Sequence, residues 1–146
     1  MNDDFSPLKL ENQLCFPLYA CSREIIKRYT PHLDKIGLTY TQYITMMVLW
    51  EKRSVGVKEL GDKLFLDSGT LTPVLKKLEA KGLVTRARSR TDERSLVVSI
   101  TEAGDALRAQ AAEIPAQMAR CMTLAPDEAA ELYRILYKLL GREVSA

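Results

Sequence analysis

The chain has 146 residues, of which 47% are hydrophobic, and a formal net charge of +2, which fits one globular domain of ordinary size. No apolar run approaches the roughly 20 residues of a membrane span, and the opening MNDDFSPLKL lacks a signal-peptide core, so we expect a cytoplasmic protein without a membrane partner. No phosphate loop, nucleophile elbow, CxxC or HxxxH spacing occurs, so the sequence predicts no metal site and no cofactor, and the single histidine, His32, is expected at the surface.

Two segments near the beginning of the chain predict long helices. Residues 7–30 carry apolar side chains at helical spacing. Residues 39–52 begin with Thr39 and Gln42, which can form a capping box, and apolar residues then follow on nearly every side. This second helix is therefore expected to be buried.

Residues 57–100 contain the most specific pattern in the chain. Apolar side chains at helical spacing predict a first short helix that begins at Val57. Asp67 is a good N-cap for a second helix, which Gly82 closes. The first turn of this second helix is small and polar, so its N–H groups can approach bases and phosphates closely. The residues of that turn are Ser68, Gly69 and Thr70.

A β-hairpin is predicted directly after the two helices. Residues 83–85 and 96–100 are its strands, Thr91–Asp92 is the expected turn, and basic residues outnumber acidic ones between residues 76 and 94. Such a run is by itself often a solvated surface hairpin. Beside a helix pair, an arginine-rich hairpin instead suits a narrow minor groove with its negative potential. The order of elements therefore predicts a helix-turn-helix with a wing, which holds duplex DNA.

Two further helices are predicted after the wing. Thr101 can cap a helix that runs toward residue 121, and Pro126 suits the first turn of a last helix. The helices in residues 7–52 and 101–141 are more apolar than one small module requires, so we interpret them as a dimer interface. A two-fold dimer would place two recognition helices on a pseudo-palindromic operator. The predicted fold is thus mainly α with a small β-hairpin wing, in a single domain of residues 1–146.

Three cysteines, Cys15, Cys21 and Cys121, should be reduced at rest in the cytoplasm. Cys15 lies in an apolar segment with Tyr19 at i+4, and a tyrosine hydroxyl can donate to a thiolate and favour that reactive form. Tyr29 lies roughly 21 Å further along a continuous helix, so it could reach Cys15 only from an antiparallel partner helix. An apolar, tyrosine-lined thiol suits an organic oxidant better than hydrogen peroxide.

Two neighbours of Cys15 need separate interpretation. Cys21 is at i+6, about 240° around the helix, so the two thiols cannot pair without unwinding. It is interpreted as a small core or surface residue. Pro17 falls inside the predicted first helix, where it removes the bond to the carbonyl of Gln13 and predicts a kink.

Five segments of the sequence resemble the MarR family of dimeric winged-helix DNA-binding proteins, and specifically its OhrR-type repressors, which sense organic hydroperoxides. They are LENQLCF (10–16), GLTYTQY (37–43), VLWE (48–51), LDSGTLTPVLKKLEAKGL (66–83) and DERS (92–95). LCF with the two tyrosines and LDSGTLTP are the motifs most specific to this group. The similarity, with its spacing, extends over nearly the whole chain.

The resemblance implies roles for individual residues. Cys15 would be the peroxidatic thiol, in a pocket with Phe16 and Tyr19, and with Tyr29 and Tyr40 of the partner subunit. Cys121 matches the resolving cysteine of the two-cysteine type, so oxidised Cys15 would condense with it to an intersubunit disulfide and release the operator. The DNA-contact residues would be Ser68, Gly69, Thr70, Thr72 and Lys76 in the recognition helix and Arg86, Arg88, Arg90, Arg94 and Asp92 in the wing, where Asp92 orients Arg94.

Other outcomes remain open at the level of sequence. Oxidation could end in a mixed disulfide with a small thiol instead of a bond to Cys121. The chain could also be a MarR-type repressor released by a small aromatic ligand, without thiol chemistry. A thiol peroxidase is disfavoured, because no arginine or glutamate stands near Cys15 in a recognisable peroxidase motif and an enzyme would not need the wing. The sequence therefore predicts a redox-sensing repressor that is not an enzyme.

Overall fold

The computed structural model describes residues 4–142 and 144. They divide into two compact units, with the boundary between Ile114 and Pro115. Two short 3₁₀ helices, Ser6–Leu8 and Leu10–Asn12, come first. The regular elements then follow in the order α1 (Cys15–Asp34), α2 (Tyr40–Lys52), β1 (Ser54–Gly56), α3 (Val57–Leu64), α4 (Ser68–Ala80), β2 (Val84–Arg88), β3 (Leu96–Ile100), α5 (Glu102–Ala111), α6 (Ile114–Cys121) and α7 (Pro126–Leu139).

The first helix differs from its prediction at the N-terminal end. It begins at Cys15 rather than near residue 7, with Leu14 as the N-cap. Pro17 therefore lies in the first turn, where N–H groups have no partner within the helix. Gln13 before it has an extended backbone, so no helical hydrogen bond is lost at Pro17. The predicted kink is wrong for that reason.

The core of the larger unit lies between α2, α3, α4 and the sheet. The capping box of α2 is confirmed: Thr39 Oγ1 accepts from the Gln42 N–H at 3.3 Å, and Gln42 Oε1 accepts from the Thr39 N–H at 3.1 Å. The helix is also buried as predicted. The largest fully buried side chains of the described residues are Met46, Leu49, Leu60, Leu71, Leu75, Leu78, Val84 and Val98.

The three strands form an antiparallel sheet in the order β1-β3-β2. The wing strands β2 and β3 form as predicted, although β2 continues to Arg88. The turn centres on residues 93–94, where the Ser95 N–H donates to the Asp92 carbonyl at 3.0 Å, rather than on Thr91–Asp92. Strand β1 was not predicted. It has three residues, too few for a pattern of alternation, and exists because β3 pairs with it.

The helix predicted over residues 101–121 is divided into α5 and α6. Thr101 caps α5 as expected, since its hydroxyl accepts from the Gly104 N–H at 3.1 Å. Pro115 explains the break, because a proline ring clashes with the carbonyl four residues earlier and disfavours helical geometry in the residue before it. Helix α7 begins at Pro126 as predicted, and Glu128 accepts from the Ala125 N–H at 2.8 Å.

Large apolar side chains are exposed at both ends of the chain. Leu14, just before α1, is 81% exposed, and Leu139 at the end of α7 is 66% exposed. Apolar patches of this kind commonly mark protein interfaces. Across residues 4–142 and 144, no helix combines the length and apolarity needed to cross a membrane.

Candidate DNA-binding surface and thiol site

The start of α4 is the most accessible part of the helix-turn-helix. The Asp67 carboxylate accepts from the Thr70 N–H at 2.8 Å, and this hydrogen bond lowers the pKa of Asp67. The cap fixes the first turn while leaving its side chains available. Of the residues predicted to contact DNA, Ser68, Gly69, Thr70 and Lys76 are exposed and Thr72 is half-buried.

The opposite face of α4 packs into the core. Leu71, Leu75 and Leu78 are buried and hold the helix against the rest of the larger unit. Gly61 of α3 allows the turn between the two helices to come close, because an added Cβ there would lie 2.8 Å from the Leu66 carbonyl oxygen. The first turn of α4 therefore projects from a rigid base.

The tip of the wing is held by bonds among its own residues. Asp92 accepts from the Arg94 backbone N–H at 3.0 Å and from the Ser95 hydroxyl at 2.9 Å, and the first of these bonds chiefly lowers the pKa of Asp92. The Arg88 guanidinium donates to the Glu93 carbonyl at 2.7 Å. Asp92 thus holds the backbone at Arg94, and the side chains of Arg90 and Arg94 are exposed.

Arg86 is placed differently from the other wing arginines. Its guanidinium donates to Glu79 Oε1 at 3.1 Å and its backbone N–H donates to Glu79 Oε2 at 3.0 Å. The side-chain bond is the main reason that the pKa of Glu79 is lowered. Arg86 Nε is buried and has no hydrogen-bond partner among residues 4–142 and 144. This geometry favours fastening the wing to α4 over the predicted contact with DNA.

Cys15 is the first residue of α1, and its side chain is exposed. Phe16 beside it and Tyr19 one turn later are also exposed, Tyr19 by 59%. The Arg23 guanidinium lies over the Tyr19 ring, 5.5 Å from its centre. The thiol is therefore accessible within this subunit and has apolar and aromatic neighbours in sequence.

The other two cysteines are also exposed. Cys21 lies on α1. Cys121 is the last residue of α6 and belongs to the smaller unit, Pro115–Ala146.

Tyr29 and Tyr40 come together with a third tyrosine that was not predicted. The ring centres of Tyr29 and Tyr40 are 5.0 Å apart, and those of Tyr29 and Tyr43 are 5.9 Å apart. Tyr43, 3% exposed, also meets the edge of Trp50 at 6.3 Å. We call Tyr29, Tyr40 and Tyr43 the tyrosine trio. The spacing of Tyr40 and Tyr43, three residues apart on a capped helix, is the signal that could have revealed the third member.

Burial raises the pKa of each phenol in the tyrosine trio. We therefore expect these phenols to titrate later than ordinary tyrosines as the pH rises above about 10, and to remain donors at neutral pH. Because the folded phenols resist ionisation, their raised pKa favours the folded state at pH values below about 10. This contribution to the free energy of unfolding is lost as the pH rises through the pKa of the phenols in the folded state. Ultraviolet absorbance of phenolate would measure this: a late fraction should appear in the folded protein, shrink in Tyr43→Phe and vanish in denaturant. A folded protein without a late fraction would contradict it.

His32 departs from its predicted surface position. It is half-buried near the end of α1, and its Nδ1 is buried without a hydrogen-bond partner in the described part of the chain. In the same residues no group of three or more His, Cys, Asp or Glu side chains could hold a metal ion.

The known proteins with similar sequences are transcriptional regulators. The family model described as Transcriptional regulator SarA/Rot matches residues 27–110. An organic hydroperoxide resistance transcriptional regulator of Bacillus subtilis is 48% identical over 140 residues, which are 96% of this chain and 95% of that protein. The regulator SarZ of Staphylococcus aureus is 43% identical over 133 residues, 91% of this chain and 90% of that protein.

Solved structures agree with the sequence comparison. Reduced AbfR bound to DNA has a TM-score of 0.78 and 34% identity, with 93% of this chain and 95% of that chain covered. A disulfide form of AbfR, a protein of Staphylococcus epidermidis, has a TM-score of 0.66 at the same identity, with 92% and 95% covered.

The fold, with its helix-turn-helix and arginine-rich wing, defines a winged-helix transcriptional regulator, which confirms the predicted fold class. The chain belongs to the MarR/SarA family and, within it, to the organic hydroperoxide resistance regulators.

Proposed function

We propose that the chain is a redox-sensing repressor that binds operator DNA as a homodimer when reduced and releases it when an organic hydroperoxide oxidises Cys15. The observation that carries the proposal is the exposed thiol at the start of α1, in the same compact unit as an exposed helix-turn-helix and wing. The test is the affinity for an operator duplex, measured by fluorescence anisotropy with and without cumene hydroperoxide.

The DNA-binding half of the proposal rests on the placement of polar and basic side chains. The exposed first turn of α4 suits the major groove, and Arg90 and Arg94 at the wing suit the minor groove. A homodimer would present two such heads to a pseudo-palindromic operator. The exposed apolar residues before α1 and along α7 support the proposal that these helices form the dimer interface.

The chemical half begins with the Cys15 thiolate. The sulfur attacks one oxygen of the hydroperoxide, the O–O bond breaks, and the other oxygen leaves and takes up a proton as the alcohol. Cys15 is then a sulfenic acid. The thiol of Cys121 of the partner subunit attacks this sulfur, which forms a disulfide and releases water. A small cellular thiol could take the place of Cys121 and give a mixed disulfide.

The surroundings of Cys15 support an oxidant with an organic tail. Leu14, Phe16 and Leu18 are all exposed beside it and offer apolar surface. Tyr19, with Tyr29 and Tyr40 of the partner subunit, would supply phenol donors to the thiolate or to the leaving oxygen. A regulator needs one oxidation per release, so we expect no steady-state peroxide turnover. We expect it to work in the cytoplasm, where its DNA is.

A second candidate is a repressor released by a small aromatic ligand. A cleft of about 520 Å³ between the helix-turn-helix and the tip of the wing favours it. The cleft is lined by the apolar side chains of Leu66, Leu71 and Leu96 and by Arg94. A ligand there could displace the wing without thiol chemistry.

The two kinds of wing arginine should respond differently to substitution. Arg90→Ala should weaken operator binding and reduce the slope of log affinity against log salt by about 1, because one cationic contact with the DNA is lost, together with the counterion that it releases. Arg86→Ala should lower the melting temperature and leave the salt slope nearly unchanged, because its partner is Glu79. Salt titrations and thermal melts of both variants would check this. A reduced slope in Arg86→Ala, with none in Arg90→Ala, would contradict it.

A further inference from the structure

Gln42, in the first turn of α2, is 3% exposed. In the sequence it stands between Tyr40 and Tyr43, two members of the tyrosine trio. Its Oε1 accepts two hydrogen bonds, from the Thr39 N–H at 3.1 Å and from Lys81 Nζ at 3.0 Å. The backbone N–H and the ammonium can only donate hydrogen bonds, so the amide oxygen of Gln42, and not its NH₂ group, must face them. This side chain is therefore held in one orientation in the core.

Lys81 connects that amide to the predicted recognition helix. It is the C-cap of α4, and its backbone N–H donates to the Lys77 carbonyl at 3.1 Å. Its ammonium donates to Gln42 and also to the Gly37 carbonyl, in the turn between α1 and α2. One cation thus joins the end of α4 to the turn that precedes Tyr40. Its side chain is exposed, so shortening it opens no cavity.

The same turn of α2 holds the tyrosines in place. Tyr40 lies two residues before Gln42 in the sequence, and Tyr43 is the residue after it. Both rings contact Tyr29 of α1. A displacement of Tyr40 therefore moves the backbone that carries Gln42. Packed cores shift between discrete arrangements instead of deforming continuously, so the motion should pass to the groups bonded there.

We propose that Gln42 and Lys81 are positioning residues that couple the tyrosine trio to the recognition helix within one subunit. The inference deepens the proposed function and rests on it. In the proposed dimer, Tyr29 and Tyr40 contact the Cys15 thiol of the partner subunit. Oxidation of that thiol changes this contact and shifts the first turn of α2. Lys81 carries that shift to the C-terminal end of α4 and so changes the aim of the helix at its operator half-site.

The test compares operator affinity before and after oxidation by cumene hydroperoxide, in full-length dimers. The ratio of the two dissociation constants is the readout, since a purely structural role would change both equally. In Lys81→Met and in Gln42→Leu the ratio should fall by about tenfold, in the range of ordinary allosteric couplings. Lys81→Arg keeps a donor and Gln42→Glu keeps the acceptor, so both should restore the wild-type ratio.

Lys77→Met is the matched control, because Lys77 is an exposed lysine one turn earlier on the same helix. It removes the same charge near DNA without the bonds to Gln42 and Gly37, and its ratio should equal that of the wild type. If Lys81→Met keeps the full ratio while the wild type releases DNA on oxidation, this coupling is overturned and the proposed function stands. If the wild type itself keeps its DNA after oxidation, both fail.

Discussion

Cys15→Ser protein should stay on its operator after treatment with cumene hydroperoxide, whereas the wild type should lose about a hundredfold in affinity. A hydroxyl in place of the thiol cannot form a sulfenic acid, so the change that releases DNA never begins. The size of the wild-type effect corresponds to a strong allosteric coupling in which several phosphate contacts are lost together. Fluorescence anisotropy with a labelled operator duplex measures both proteins under the same conditions.

The other two cysteines provide the controls. Cys21→Ser should behave as the wild type, although Cys21 is exposed like Cys15. Cys121→Ser should still be oxidised at Cys15, but non-reducing gels should no longer show the subunit-linked dimer that we expect from the wild type. Release of Cys15→Ser from DNA by the hydroperoxide would refute the assigned role of this thiol. A wild type that stays monomeric on such gels would favour the mixed disulfide.

Gly104→Ala should destabilise the protein by about 2–3 kcal/mol, although alanine is the better helix former by about 1 kcal/mol. A Cβ at this position would lie 2.2 Å from the Leu83 carbonyl oxygen and 2.9 Å from Ile100 Cγ1. The first of these neighbours is backbone and cannot rotate away. The Gly104 carbonyl also accepts from Trp50 Nε1 at 2.8 Å, so a shift of α5 would break that bond as well. Calorimetry should show a melting temperature roughly 5–10 °C lower.

Gly56→Ala is the comparison for this prediction. An added Cβ at Gly56 would meet nothing within 4 Å, and its φ of −64° suits any residue. We expect a change within about 0.5 kcal/mol. A Gly104→Ala protein as stable as Gly56→Ala would show that α5 does not approach Leu83 as closely as the structure has it.

The helix-turn-helix could be predicted because its signals are local. Asp67 caps α4 and Thr39 caps α2, and each cap is a short-range hydrogen bond that the sequence alone specifies. The buried face of α4 follows from helical spacing in the same way. The redox site was predicted from the setting of Cys15 in sequence and from family resemblance, and its residues remain proposals for experiment.

Features that depend on distant partners could not be predicted. Strand β1 forms because Val55 pairs with Val98, which lies far along the chain. Arg86 was grouped with the other wing arginines because its bond to Glu79 depends on how β2 lies against α4. The Lys81–Gln42 bond likewise joins residues 39 positions apart, and spacing along one helix cannot reveal it.

The most direct test of thiol-based release compares cumene hydroperoxide with cumyl alcohol, which has the same aromatic body and one oxygen fewer. Wild-type protein on its operator is titrated with each compound, and dithiothreitol is then added. We expect the hydroperoxide to release the DNA at about one equivalent per Cys15, dithiothreitol to restore binding, and the alcohol to have no effect. Equal release by the alcohol would contradict the redox mechanism and identify a ligand-controlled repressor instead.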